Sequence, residues 1–365
     1  MKKVHAILFS FLMITMSMAG CLGGSDGNDG VDGQDGTNGV DGQDGINGQD
    51  GADGINGQDG ADGTNGLDGQ DGEDGSDASR TGVDWSSQVF NGTDISGGEY
   101  QYAYMTATVF HNSNLDNTNF SFSFSRGARY WNSSLENADF YRSDMDRVSI
   151  RNASVNGTDF TGSSMRLSSI SYSEVNDANF VGFDFYWSGF WASNVTNTNL
   201  SYADLYGATF SECNLQNSSL FGAYLWGTDF GDSDLSNSDL RGMVIMSGDF
   251  GGAILRDVSW QNSAITGNIN FGYSDLSYAN FTNSMFRLPE NALISSNLSH
   301  AVFVNADLSS QDLSNLNLQN ANFSGADLSG ADLTGANLTN VSWYDTTCPD
   351  GTNSDNNGNT CENNL

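Results

Sequence analysis

The sequence holds two prolines and 12 lysines and arginines, set against 45 aspartates and glutamates. Two prolines are too few for a proline-rich linker. Both lysines, Lys2 and Lys3, stand at the N-terminus, so every later positive side chain is an arginine. The net charge of −33 repels nucleic acid and anionic lipid and favours cations and solubility. DNA binding through a basic footprint is excluded as an expectation. None of the four cysteines has zinc-ligand spacing. His111 and His300 are isolated, and no nucleophile lies in a recognisable motif, so no enzyme, no cofactor and no metal is expected. Long apolar runs are absent too, since the stretch from Ala6 to Met18 is too short to span a bilayer comfortably.

What is present at the start is a basic end, that apolar run and then small residues, which read as a signal peptide over residues 1–20. The boundary Met18-Ala19-Gly20-Cys21 resembles the lipobox of prokaryotic lipoproteins, with Met18 where leucine is usual. The resemblance implies a lipid on the Cys21 sulfur and a mature chain tethered outside the cytoplasm, at the cell surface or envelope. Acyl chains hold such a protein by burying methylenes at about 0.8 kcal/mol each. An ordinary signal peptide with an incidental cysteine is the alternative.

Residues 21–79 form the next segment, with a glycine at every third position from Gly24 to Gly75. The pattern resembles collagen-like Gly-X-Y tracts of prokaryotic surface proteins, because only glycine fits the axis of a triple helix. Position Y is nearly always Asp or Asn, proline is missing, and no positive side chain lies between Cys21 and Ser79. Three such strands would set their carboxylates within a Debye length of about 8–10 Å. A trimer through a cation-stabilised triple helix, with calcium as one such cation, and a charge-extended spacer are the two readings. Either way the tract builds no core, and it could hold a following domain up to about 150 Å from the anchor.

Beyond it the chain acquires a period of five, cleanest in Ala321 to Asn340 (ANFSG ADLSG ADLTG ANLTN). Large apolar residues recur from Phe90 through Ile95, Tyr100, Met105 and Phe110 to Ile265, with Ser125 the one polar interruption. Small residues such as Ala138, Ala153, Ala178 and Cys213 stand two positions earlier in each unit, so both point inward along an extended chain. The period matches neither a helix nor simple strand alternation, and implies a solenoid. Sorting by twenties gives one wholly aliphatic column (Ile95, Leu115, Leu135, Val155, Val175) and others mostly aromatic (Tyr100, Phe120, Phe140, Phe160; Phe110, Tyr130, Phe190, Phe210). Four units therefore make one coil. The count slips by one between Ile265 and Phe271 and by two between Phe286 and Leu293, as corner bulges in a continuous solenoid over residues 80–345.

These units resemble pentapeptide repeat proteins, which implies an all-β, right-handed quadrilateral β-helix. At one strand spacing per coil, about thirteen coils make a rod of about 60 Å. Family members that protect gyrase act in the cytoplasm, which export would preclude. After Trp343 the pattern stops. Residues 346–365 read as a cap closed by a Cys348–Cys361 disulfide, worth about 3 kcal/mol for so short a loop. Asn353, Asp355, Asn357 and Gly358 leave calcium at the cap as an alternative, although Asn364 stands where an EF-hand needs its bidentate glutamate. Cys213, at an inward position, reads as a buried thiol.

Two surface features stand apart from the repeat. Tyr186, Tyr206, Trp226 and Met246 are twenty apart and so form an outward ladder, with Trp187, Tyr202, Phe221 and Tyr224 beside it. Such rings suit an extracellular glycan or a protein partner, or else brace neighbouring strands. Arg126, Arg129, Arg142, Arg147, Arg151 and Arg166 cluster either as an anion patch or in pairs with Asp139, Asp144 and Asp146. The reading is a lipid-anchored structural or adhesive binding module with ligand candidates Tyr186, Trp187, Tyr206 and Trp226. A carbohydrate-active β-helix enzyme and a ligand-free envelope spacer are the alternatives.

Overall fold

The computed structural model describes residues 81–362. The signal segment, Cys21 and the Gly-X-Y tract lie outside them. The described chain is a four-sided β-solenoid whose coils pair in parallel. Its longer strands form two ladders. One joins β1 Val89–Asn91, β2 Val109–His111, β3 Arg129–Trp131, β4 Ser149–Arg151, β5 Ser169–Ser171 and β6 Gly189–Trp191, in that order. The other joins β7 Leu225–Asp229, β8 Val244–Asp249, β9 Ala264–Asn270 and β10 Met285–Arg287. Single bridges make the other sides, from Asp84 with Tyr104 to Asp327 with Thr347, twenty residues apart except across the two slips, where the spacing is twenty-one or twenty-two. No helix among the described residues is long and apolar enough to cross a membrane.

One unit shows why the sequence folds this way. Phe140 points inward and its N–H donates to the Asp159 carbonyl of the next coil at 2.8 Å, while Asp159 N–H donates back to Ala138 at 2.9 Å. Two residues on, Arg142 turns the corner at φ 58°, closing a turn in which Ser143 N–H donates to the Phe140 carbonyl at 3.0 Å. Asparagine and glycine supply most corners because they enter this left-handed region at least cost. The small inward residue is often serine. Its hydroxyl answers the backbone in the dry interior, as when Ser143 Oγ donates to Phe120 O at 2.9 Å and accepts from Ser123 N–H at 3.1 Å.

The core is a set of stacked columns. Phe120, Phe140, Phe160 and Phe180 are fully buried and stack at 5.2, 5.6 and 4.8 Å. Each such ring contributes about 1.5–3 kcal/mol by burial. The polar interruption at Ser125 has a local cause. The neighbouring column holds Tyr130, whose buried hydroxyl interacts with Ser125 without reaching ordinary hydrogen-bond geometry, and Ser125 itself is tied to Ser123 at 3.1 Å.

Both slips are bulges that leave the columns intact. The first lies in β9, where Ala264 pairs with Met285 twenty-one residues on and Ile245/Ser247 faces a shifted register. Gly267 makes it feasible: its φ is 83°, and a Cβ there would collide with the Met246 carbonyl. The second is the loop around Pro289, closed by Leu288 N–H donating to buried Gln311 Oε1 at 2.9 Å. Across it the Trp260 stack continues, from Phe281 to Phe303, Phe323 and Trp343.

The last coil is closed by the Cys348–Cys361 disulfide and by an antiparallel bridge between Thr347 and Asn353. Ser354 is buried and accepts from Thr346 N–H at 3.0 Å. Asn353 and Asp355 turn their side chains into the cap's own bonds, Asn353 Oδ1 accepting from Asp355 N–H at 2.9 Å and Asp355 Oδ1 from Asp345 N–H at 3.0 Å. At the opposite end Val83, Trp85, Phe90 and Ile95 are only partly buried, with Trp85 packed 4.8 Å from Tyr100 and 5.1 Å from Phe90.

Candidate binding face

One side of the solenoid has Phe185, Leu205, Leu225 and Ile245 as its inward centres. The residues just before and after each centre point outward, so Tyr186, Tyr206, Trp226, Met246 and Tyr224 share this side, Trp187 and Tyr202 turn its two corners, and Phe221 stands on the adjacent side beside Leu220. Tyr186 and Tyr206 are half-buried and stack at 5.0 Å with planes 17° apart. Their faces are turned to each other, so these two rings brace consecutive coils. Trp226 continues the ladder 5.9 Å from Tyr206 but tilts by 43° and is 42% exposed.

Trp187 and Tyr202 behave differently. A Cβ on Gly207 would meet three Trp187 ring atoms at 2.9–3.1 Å, and one on Gly222 would meet Tyr202 ring atoms at 2.9 and 3.1 Å. Each ring therefore lies across the glycine corner of the next coil, with its opposite side toward solvent. Trp187 is 56% exposed and stands edge-on to Tyr186 and Tyr206 at 6.4 and 6.2 Å. Both rings sit on left-handed corners, at φ 54° and 62°. A bulky side chain there costs about 1–2 kcal/mol that asparagine or glycine largely avoids. Leu167, Tyr172 and Tyr278 occupy the same kind of corner elsewhere on the rod.

Carboxylates line the same side. Asp184 and Asp204 accept from the N–H groups of Tyr186 and Tyr206 at 3.2 and 3.1 Å. Burial holds the pKa of both above the usual carboxylate range, against the pull of those N–H groups and of Arg166. Arg166 lies over Tyr186 at 5.3 Å and 3.6 Å from Asp184. Burial, then the charge of Asp204, raises the Tyr224 pKa. Beyond Trp226 the corner between two sides straightens into β7–β9. There a shallow open groove is lined by Thr228, Asp229, Ser247, Asp249, Asn268 and Asn270.

Asp184 and Asp204 escape sequence reasoning because aspartate is the ordinary residue at that place in the repeat. Their only distinguishing signal is the ring-bearing residue two positions on. Two further ladders on this side, Tyr102 on Phe122 and Tyr104 on Phe124, were equally open to counting by twenties and lie upstream of the residues it singled out. The arginine cluster divides. Arg126 reaches Asp146 at 2.9 Å and Asp144 at 3.4 Å, whereas Arg129, Arg142 and Arg151 lie over Trp131, Tyr141 and Tyr172. The expected pairing of Asp139 with an arginine is not made. Asp139 stands in another column, where burial and the charges of Asp159 and Glu99 raise its pKa. Cys213 is a buried free thiol pushed up to about 11 by burial. Among the described residues no three of His, Cys, Asp and Glu gather as a metal site would require.

The pentapeptide repeats family matches residues 190–227 and 301–340 in 8 copies, and the collagen triple helix repeat family matches residues 22–80 in 20 copies. No curated protein matches. Among solved structures, HetL, a pentapeptide repeat protein involved in heterocyst differentiation regulation from the cyanobacterium Nostoc, is 21% identical over 75% of this chain and 93% of its own, with a TM-score of 0.27. Full-length QnrB1, a plasmid-mediated fluoroquinolone resistance protein, is 21% identical over 51% and 85%, with a TM-score of 0.25. A pentapeptide repeat protein from the Arabidopsis thaliana thylakoid lumen is 26% identical over 32% and 68%, with a TM-score of 0.12. Nothing about function is carried over from them. The chain thus carries pentapeptide repeats wound into a four-sided β-solenoid, with collagen triple helix repeats ahead of them.

Proposed function

We propose that this protein is a lipid-anchored binding module of the cell surface, held at Cys21 and presenting its aromatic side to extracellular glycan. The observation that carries the reading is the exposed ring of Trp187, laid across Gly207 on a strained corner. A flat apolar face flanked by hydroxyls and carboxylates suits a sugar ring, whose C–H side stacks on the aromatic while its hydroxyls donate to nearby oxygens. Trp226 extends that surface to the groove, where Asp229, Asp249, Asn268 and Asn270 add further partners. Among the described residues Arg166 is the cation that acts on Asp184 and Asp204, and Asp229 and Asp249 line the groove, so the reading takes neutral or amino sugars and turns away acidic polysaccharides.

The anchor and the ligand are tested separately. Mass spectrometry of the mature chain should find an acylated Cys21 at its N-terminus, and an unmodified thiol there removes the anchor. The full exported chain should be retained on neutral or amino-sugar glycans of a microarray. Retention only on acidic glycans, or on none, removes the ligand reading.

A further inference from the structure

We propose that the β1–β6 side of the rod is a second glycan-binding face, which takes an acidic polysaccharide by pairing its carboxylates with Arg129, Arg147 and Arg151. On a chain of net charge −33 this side is an exception. From Ser87 to Ser211 neither its two outward rows nor its two corners hold an aspartate or a glutamate. Arg129 and Arg151 stand in those rows and Arg147 on the corner shared with the Trp187 side, all three exposed. Among the described residues these three make no ion pair, whereas Arg126, Arg166, Arg241, Arg256 and Arg287 each reach an aspartate. Arg142 shares that state, on another corner.

The aromatic rings of this side lie along it. Trp131 Nε1–H donates to Ser149 Oγ of the next coil at 3.2 Å, so its indole leans across the face, with the Arg129 guanidinium 5.6 Å from its centre. Gly189 is not on a left-handed corner, and its reason is space. A Cβ there would come within 3.0 Å of Trp191 Nε1 and 2.6 Å of a Thr209 methyl, so the missing side chain makes room for that indole. Trp191 is 49% exposed, and Tyr172, 58% exposed, carries the Arg151 guanidinium at 5.3 Å. A guanidinium stacked on a ring is held in place while its N–H edge stays free for a carboxylate. Trp131, Arg151, Ser171 and Trp191 follow in register along one row, over a length of about 14 Å at the usual strand spacing.

Flat rings and forked cations alternating on that scale fit a sugar chain lying along the rod, its C–H faces on the indoles and its carboxylates at the guanidinium groups. Duplex DNA, with a charge every ~1.7 Å, needs a far denser basic footprint. Indoles laid flat on a sheet do not project into a lipid headgroup layer. The acidic surface elsewhere does not decide the matter, because charges beyond about 8 Å are largely screened at physiological salt. The carboxylates that turn acidic sugars away from the Trp187 side are absent here.

Binding of polygalacturonate to the full exported chain tests this, in EDTA so that no divalent cation bridges carboxylate to carboxylate. The wild type should bind. The methyl-esterified polymer, with the same sugars and no charge, should bind about tenfold more weakly or less, and so should the Arg129→Gln/Arg151→Gln chain with the acidic polymer. Trp187→Asn should bind as the wild type does. Absence of wild-type binding, equal binding of the ester, or undiminished binding by the double variant overturns the proposal; equal binding of oligo-dT overturns it too, in favour of a general attraction for polyanions. Should the double variant fail to fold, phenylglyoxal labelling of the unmodified chain decides. The polymer should protect Arg129, Arg147 and Arg151 and leave Arg256, whose side chain is 60% exposed, as reactive as before; equal labelling with and without polymer overturns the face. Lost retention on neutral glycans with polygalacturonate binding intact removes the Trp187 reading alone, and the converse removes this one alone.

Discussion

Trp187 occupies a corner that most of the rod gives to asparagine or glycine, such as Asn197, Asn217 and Asn237. Its ring is exposed and its backbone strained, so its removal should separate binding from folding. Asp204 poses a second question at this scale. Burial raises its pKa, so the protonated form suits the fold better than the ionised one. Its contribution to stability is therefore full below the ordinary carboxylate value of about 3.9 and lost as pH rises through the raised folded value. Asp204→Asn keeps an oxygen for Tyr206 N–H and removes the charge. Thermal denaturation should show a higher Tm at pH 7 and no gain near pH 3. Asp307 has the opposite sign: the Arg287 guanidinium, at 2.6 Å, holds its pKa below the usual range. Its stabilisation is present above the ordinary value and lost as pH falls, so Asp307→Asn should lower Tm at pH 7. Neither aspartate could be told from its consensus neighbours by sequence, because the difference lies in burial for Asp204 and in the guanidinium of the adjacent coil for Asp307.

Among elements, the bulge in β9 depends on Gly267. Gly267→Ala should cost about 1–2 kcal/mol from the backbone alone, more with the collision at the Met246 carbonyl, and a lower urea midpoint measures it. The slip was legible as a break in the count at Ile265 to Phe271. Its cause was not, since glycine recurs throughout the repeat and only the approach of Met246 singles this one out. Ser125 is similar: visible as an interruption, explained only by the Tyr130 hydroxyl beside it. Ring tilt was also beyond counting. Spacing by twenties places Tyr186, Tyr206 and Trp226 on one side but cannot say that the first two cover each other's faces. At the far end, Cys361→Ser should remove about 3 kcal/mol from the cap. Because each coil contacts only its neighbours, hydrogen exchange should speed up around Trp343 to Ser354 and stay unchanged near Phe140.

For the molecule as a whole, the four-sided architecture was legible because every coil repeats the same decision: one large and one small side chain inward, one turn residue at φ above zero. That repetition also makes the interior uninformative about function. Phe120, Phe140, Phe160 and Phe180 do the same thing four times. Departures from the consensus stand outside, where exposed rings replace asparagine or glycine at corners such as Trp187, Tyr202, Tyr172 and Tyr278. The most direct test pairs two readings on one substitution, Trp187→Asn, in the full exported chain. Retention on neutral or amino-sugar glycans should fall about tenfold or more, while Tm stays within about 2 °C of the wild type. Unchanged retention with a clearly lower Tm would contradict the claim and make the ring a brace between coils.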